Sequence, residues 1–306
     1  MTSWPQKIRI TEVGPRDGLQ NQSKQIPASV KVELINALSK TGLSCIEVSA
    51  FVHPKWVPQL SDADEVFAEI NRKEGVKYTA LVPNQHGWNR ALAAKADEIA
   101  VLTAASETFC QRNTNTSIDG SMKRMKPIVE EASNRGISVR GYISCVIACP
   151  YEGETNVSTV RHIVEQMKDM GITGVALSET IGVAVPVDIC RLFDALDGEL
   201  SPAESILHLH DTRGTALACA AQAMQCGCVQ FDASCGGLGG CPYAPGAAGN
   251  IATEDLVYFT NRMGIETGIE FDALVEASHI IERELGHQLS SRAYRASQEP
   301  HLRPST

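Results

Sequence analysis

The sequence predicts an α/β fold, a single (β/α)8 TIM barrel carrying additional C-terminal helices. Eight short β-rich runs recur along the chain, at 7–13, 44–50, 76–82, 98–104, 138–145, 174–180, 205–211 and 230–236, with helical patterns between them. Eight such units occupy roughly 250 residues, the usual size of one barrel. No Gly-x-Gly-x-x-Gly follows the first run and no Pro- or Ser-rich linker divides the chain, which argues against two doubly wound domains.

The elements follow from local pattern. Pro27-Ala28-Ser29 supplies a helix start ahead of 30–39, after the first run. Asp62 opens a second amphipathic stretch, 62–70, with Val66, Phe67 and Ile70 as its apolar positions. Beyond the eighth run, the helical patterns 253–262 and 272–285 extend the barrel, so the expected domain covers 1–286. The polar segment 287–306 is expected to be a loosely held tail.

Composition narrows the functional classes. A hydrophobic content of 43% in 306 residues is ample for a large core. Residues 1–7 carry no apolar stretch, and no run approaches the ~18 apolar residues of a membrane span, so the expectation is a soluble cytoplasmic protein. Ten cysteines do not read as a disulfide scaffold, because no secretory signal is present and Cys45, Cys145 and Cys235 sit in apolar runs. No Cys-x-x-Cys occurs, and Cys226 and Cys228 flank a glycine at an expected helix end, which argues against structural zinc. A net charge of -9 argues against nucleic-acid binding but leaves room for a local phosphate site.

In such a barrel the working residues stand at the C-terminal ends of the strands. The first run leads into Thr11-Glu12-Val13-Gly14-Pro15-Arg16-Asp17-Gly18, the seventh ends in His208-Leu209-His210-Asp211, and the eighth is followed by a loop reaching Asn250. His208 and His210 are two apart on a strand, so both imidazoles point into the barrel and can grip one metal. The alternative is two buried histidines satisfied by neighbouring carbonyls. Asp17 and Asn250 favour the metal: a carboxylate, an amide oxygen and two imidazoles suit Mg²⁺ or Mn²⁺, with positions left for water and substrate. Arg16 shares the rim with Asp17, where it can stabilise negative charge on a carbonyl oxygen. A structural ion pair with Glu47, at the end of the second run, is the other reading, and a Glu47 that holds Arg16 for catalysis satisfies both. Residues 236–246 are too rich in glycine and proline for a helix or strand interior and read as a loop. Such a loop can close over a substrate and bring Cys241 to the reaction, unless Cys241 is a chance loop cysteine. Cys149-Pro150-Tyr151-Glu152-Gly153 reads as a rim-shaping turn.

On these residues the chain resembles the 3-hydroxy-3-methylglutaryl-CoA lyase family. The similarity runs from about Lys7 to Leu285 and is carried by residues 12–20, 51–59 apart from His53, 149–153, and 237–250 continuing into Thr253-Glu254-Asp255-Leu256. The resemblance implies a metal-dependent lyase of the Claisen-type barrels, with Asp17, His208, His210 and Asn250 as ligands of Mg²⁺ or Mn²⁺. It implies catalytic roles for Arg16, Glu47 and Cys241, an acyl-CoA substrate and a homodimer. The reaction it implies is a reverse Claisen cleavage that releases acetyl-CoA; the base is left open between Asp17 and a metal-bound water.

Three departures bear on the substrate. Ser178-Glu179-Thr180 stands where the family has Gly-Asp-Thr, Arg213 where it has Tyr after His-Asp-Thr, and Ser23 where it has a lysine, with Lys24 next to it as a candidate contact for CoA phosphate. Glu179 is expected to reach further into the barrel mouth and Arg213 to face a substrate carboxylate, unless the two simply pair with each other. A citramalyl-CoA lyase, giving acetyl-CoA and pyruvate, is the first alternative. Claisen synthases related to the isopropylmalate and homocitrate enzymes usually carry regulatory regions and lack the Gly-Gly-Cys-Pro loop, and a non-enzymatic binding module has no use for the metal and arginine set.

Overall fold

The computed structural model describes residues 4–239 and 249–299. Eight parallel strands follow one another around a closed barrel. They are β1 Arg9–Glu12, β2 Cys45–Ala50, β3 Lys77–Leu81, β4 Glu98–Ala104, β5 Ser138–Ser144, β6 Gly174–Glu179, β7 Ser205–Leu209 and β8 Gln230–Ala233, and β1 pairs with β8 to close the ring. The helices are α1 Ala28–Leu38, α2 Ala63–Glu69, α3 Gln85–Ala93, α4 Glu107–Thr114, α5 Ile118–Asn134, α6 Val157–Asp169, α7 Pro186–Leu196, α8 Ala216–Gln225, α9 Thr253–Arg262, α10 Phe271–Leu285 and α11 Arg292–Gln298. The barrel expected from the eight runs is therefore the fold observed. Among the described residues no helix is long and apolar enough to cross a membrane.

Helices cover the outside of the barrel, so its strands are buried on both faces. Strand alternation sorts their side chains. Ala50, Leu81, Ala100, Tyr142, Ala176 and Ile206 fill the interior, while Val48, Ile99, Ile143, Val175, Leu177 and Leu207 belong to the larger apolar layer beneath the helices. The short antiparallel hairpin Ala148–Cys149 with Gly153–Glu154 follows β5 and forms the turn expected at the rim.

Two expectations are corrected. The last strand is shorter than the run 230–236, because residues 235–237 leave the sheet in a tight turn with Gly236 at φ 64°. Residues 287–299 are not a loose tail. Tyr294 of α11 is fully buried, and its hydroxyl donates to Glu282 Oε2 at 2.6 Å while lying 2.8 Å from His279 Nδ1. Ser291 Oγ donates to Asp255 Oδ1 at 2.7 Å, and the N–H groups of Ser290 and Ser291 both donate to the Gly236 carbonyl at 3.1 Å. The polar residues that suggested a solvated tail are anchors, and one buried aromatic contributes roughly 1.5–3 kcal/mol that composition alone does not reveal.

Candidate active site

The site begins where β1 ends. The Val13 carbonyl accepts from the N–H groups of Arg16 at 3.2 Å, Asp17 at 2.7 Å and Gly18 at 3.2 Å, making one wide π-type turn over Gly14–Gly18. Gly14 is required there: a Cβ would stand 2.6 Å from Glu12 Oε1 and 2.9 Å from Cys235 Sγ. This turn brings the adjacent Arg16 and Asp17 to a common partnership, with Arg16 Nη1 2.5 Å from Asp17 Oδ1 and Arg16 Nε donating to Glu47 Oε2 at 2.7 Å. Glu47 sits at a register shift between β2 and β3, an irregularity of the kind that re-aims side chains at barrel rims.

The adjoining wall comes from β7, which is separated from β1 by β8 alone. His208 is on the interior face of the strand, and His210 just beyond it forms an antiparallel bridge with Asn250. Ile251 N donates to Leu209 O at 2.9 Å and Asp211 N to Gly249 O at 2.6 Å, so the returning segment runs along the end of β7. Asn250 Nδ2 then donates to Asp17 Oδ2 at 2.8 Å and to Leu238 O at 3.1 Å. Ligand atoms of Asp17, His208 and His210 all lie within 4.8 Å of one another.

Two atoms of this set test whether a cation fits. His210 Nδ1 and Asn250 Oδ1 are buried and have no hydrogen-bond partner. Leaving such a group unpaired costs about 1–3 kcal/mol. Donors of this kind, with a carboxylate and a second imidazole, match Mg²⁺ or Mn²⁺.

Charge is arranged to suit. Burial alone would raise the Asp17 carboxyl, but Arg16 and then His208 and His210 hold it well below the carboxylate range. Burial alone would weaken the Arg16 guanidinium, yet Glu47 and Asp17 keep it a permanent cation. Burial, reinforced by His208, pushes the His210 ring down to about 4, so it is neutral at physiological pH. His208 goes the other way: burial would lower it, but the neighbouring Asp232 and Asp17 raise it. Burial lifts Glu47 above the usual carboxylate value against the pull of Arg16.

A family model described as HMGL-like matches residues 7–281. The chain belongs to the HMGL-like family. A Pseudomonas aeruginosa relative named 3-hydroxy-3-isohexenylglutaryl-CoA/hydroxy-methylglutaryl-CoA lyase is 46% identical over 292 residues, covering 95% of this chain and 97% of its own. The crystal structure of an HMG-CoA lyase from Bacillus subtilis superposes with a TM-score of 0.95 at 44% identity, covering 97% of this chain and 99% of that one. An Acinetobacter baumannii HMG-CoA lyase, solved in complex with coenzyme A and 3-methylmalate, matches with a TM-score of 0.92 at 38% identity over 100% of both chains.

The remaining candidates of this HMGL-like chain are placed differently from expectation. Glu179 pairs in register with Leu209, whose side chain lies in the layer beneath the helices, while Ser178 pairs with the interior His208. Glu179 therefore faces away from the barrel axis and does not reach into the mouth; its Oε1 accepts from Val183 N at 3.1 Å. Arg213 Nη1 donates to the carbonyls of Ile181 and Gly182, both at 3.0 Å. The two departures thus brace one loop from two sides, rather than pairing with each other. Lys24, half-exposed at the rim, is held by Glu284 at 2.7 Å. Cys241 lies outside the described residues.

Sequence reasoning missed a layer beneath the HMGL-like site. Arg140, Tyr142 and Asp232 are buried on the interior face, and Glu12 and Glu254 are buried at the base of the turns. The available signal was polar residues two apart on strands, as in Arg140-Gly141-Tyr142, against an otherwise apolar run.

Glu12 and Glu254 give a pH-dependent stability. Glu12 Oε1 accepts from Gly14 N and Cys235 N, each at 2.8 Å, and Oε2 from Thr253 Oγ1 at 2.7 Å. Glu254 accepts from Gly236 N and from Ser278 Oγ. Burial raises Glu12 from 4.5 to about 7 and Glu254 to about 8. The folded state then binds more protons than the unfolded one, so this contribution is present below about pH 4.5 and is lost as pH rises through 7 and 8. Glutamine can keep all three Glu12 bonds by donating to Thr253. Relative to wild type, Glu12→Gln is expected to gain roughly 3 kcal/mol of unfolding free energy between pH 4.5 and 8. Urea titrations at the two pH values measure it, and a pH-independent difference would contradict the assignment.

Proposed function

We propose that the protein is a divalent-metal-dependent lyase that cleaves a carbon–carbon bond of a 3-hydroxyacyl-CoA. The substrate we assign is 3-hydroxy-3-methylglutaryl-CoA, split by reverse Claisen chemistry into acetyl-CoA and acetoacetate. The reading rests above all on one juxtaposition: the cation-competent set Asp17, His208, His210 and Asn250 stands against Arg16, a guanidinium fixed by Glu47. Asp17, His208, His210 and Asn250 would hold the metal.

A bound divalent cation supplies Lewis acidity that lowers the pKa of the substrate hydroxyl. As a base, Asp17 or a water, takes that proton and the carbon–carbon bond breaks, the electron pair of the broken bond passes through the thioester to the carbonyl oxygen. Arg16 offers a permanent cation to that enolate oxygen, and Glu47 and Asp17 hold its fork so that little reorganisation is needed when the charge forms. On the resemblance alone, Cys241 is assigned the proton taken up by the acetyl carbon, and the active species is taken to be a homodimer.

The alternative, a citramalyl-CoA lyase releasing pyruvate, drew on Glu179 and Arg213. Both of these residues brace residues 181–183, which argues for the family substrate. The test is a screen of the Mg²⁺-supplied enzyme against 3-hydroxy-3-methylglutaryl-CoA, citramalyl-CoA and other 3-hydroxyacyl-CoAs, following release of the oxo acid. The expected order places 3-hydroxy-3-methylglutaryl-CoA first in kcat/KM. Glu179→Asp/Arg213→Tyr should move its ratio to citramalyl-CoA by less than about five-fold, or ~1 kcal/mol. A wild-type preference for citramalyl-CoA that the double change reverses would instead make these residues the selectivity determinants.

A further inference from the structure

Beneath the ligand set lies a chain of buried polar groups that the proposed reaction does not use. Asp232 of β8 is in register with His208 of β7 and with Thr11 of β1, so all three share the interior face. Its Oδ2 lies 3.2 Å from His208 Nδ1, and its Oδ1 accepts from Arg140 Nη1 at 2.6 Å. Arg140, across the barrel on β5, also donates from Nη2 to Thr11 Oγ1 at 2.8 Å and from Nη1 to Tyr142 Oη at 3.3 Å. Tyr142 Oη in turn donates to Glu47 Oε2 at 3.4 Å, the same oxygen that takes Arg16 Nε.

We propose that Asp232, braced by Arg140, is a positioning residue that sets the ring orientation and tautomer of His208 for metal binding. The reasoning is steric and electronic. An imidazole that donates through Nδ1 to a fixed carboxylate has its Nε2 lone pair free, and here Nε2 is the ring nitrogen facing Asp17, 3.8 Å from Oδ2. Asp232 has no solvent to hold its charge in the barrel interior; Arg140 does so, and in doing so keeps the carboxylate from turning away from the ring. Arg140 reaches Tyr142 and through it Glu47, so the ligand arm and the arginine arm of the site rest on one network.

The inference rests on the metal reading above, and the experiment separates the two. Chelator-stripped full-length protein is titrated with Mn²⁺ by calorimetry, as wild type, Asp232→Asn and Arg140→Met, with circular dichroism reporting folding. Wild type should bind Mn²⁺, and each folded variant should bind it roughly 10- to 100-fold more weakly. At saturating Mn²⁺, KM for the acyl-CoA should stay near the wild-type value. If wild type takes up no Mn²⁺, the metal reading itself fails. If wild type binds but folded Asp232→Asn binds within two-fold of it, the metal reading stands and the positioning role is overturned. A measurement on wild type covers the case in which neither variant folds: ¹⁵N-histidine spectra of the Mg²⁺-loaded protein should show His208 protonated at Nδ1, and a proton on Nε2 would overturn the proposal.

Discussion

Replacing Arg16 with methionine is expected to lower kcat by roughly 10²–10³-fold while KM for the acyl-CoA changes little. The guanidinium is nearly buried, donates to Glu47 and Asp17, and stands 5.5 Å from the centre of the Tyr142 ring. A group held this firmly before the reaction contributes most where charge develops during it. Methionine keeps much of the apolar volume and removes the charge, so the loss falls on the transition state. The substitution also leaves the buried Glu47 without its cation, and breaking a buried ion pair costs about 3–5 kcal/mol. Stability must therefore be followed in parallel, with Arg16→Met/Glu47→Gln as the variant that removes the stranded charge. Steady-state kinetics decide the matter. An effect confined to KM would make Arg16 a substrate-binding residue.

Stripping divalent cations is expected to abolish cleavage altogether, and Mg²⁺ or Mn²⁺ should restore it. Two buried unpaired atoms, on His210 and Asn250, flank a carboxylate and a second imidazole, and no protein group among the described residues satisfies them. His208→Ala should weaken metal binding sharply and leave the barrel folded, because most of the stability of the barrel comes from the interior and outer apolar layers that hold the strands. Activity assays after chelation and back-titration, with circular dichroism on the variant, provide the check. Full turnover in chelator-treated, metal-free enzyme would remove the cation from the chemistry.

Much of the candidate site is legible in the sequence. His208 and His210 lie two apart on one strand, Arg16 and Asp17 are adjacent, and each group stands at the end of a β-rich run or just beyond it, where a barrel opens. Strand alternation and helix punctuation act over a few residues, so the eight-unit barrel and the pairing of His208 with His210 on one strand face were readable from local order alone.

Which face a side chain uses was another matter. A strand of a parallel barrel is apolar on both faces, so hydrophobicity does not reveal its phase, and a shift of one residue sends every side chain to the other layer. Glu179 was read as reaching into the mouth because it stands where the resembled family has an Asp, and its register with Leu209 places it outside. Asp232 and Arg140 are 92 residues apart, and nothing local to either marks the other as its partner until the barrel closes and brings β5 and β8 across from each other. Tyr294 is similar, since a single aromatic in a polar segment does not announce a docking site and finds one only against α10. What the sequence determined by itself was the set of elements and the residues with chemistry at their ends, because both are properties of short stretches of chain. The tertiary structure decided the pairing of charges in the interior, because an ion pair depends on distance in space and the closed barrel alone sets that distance.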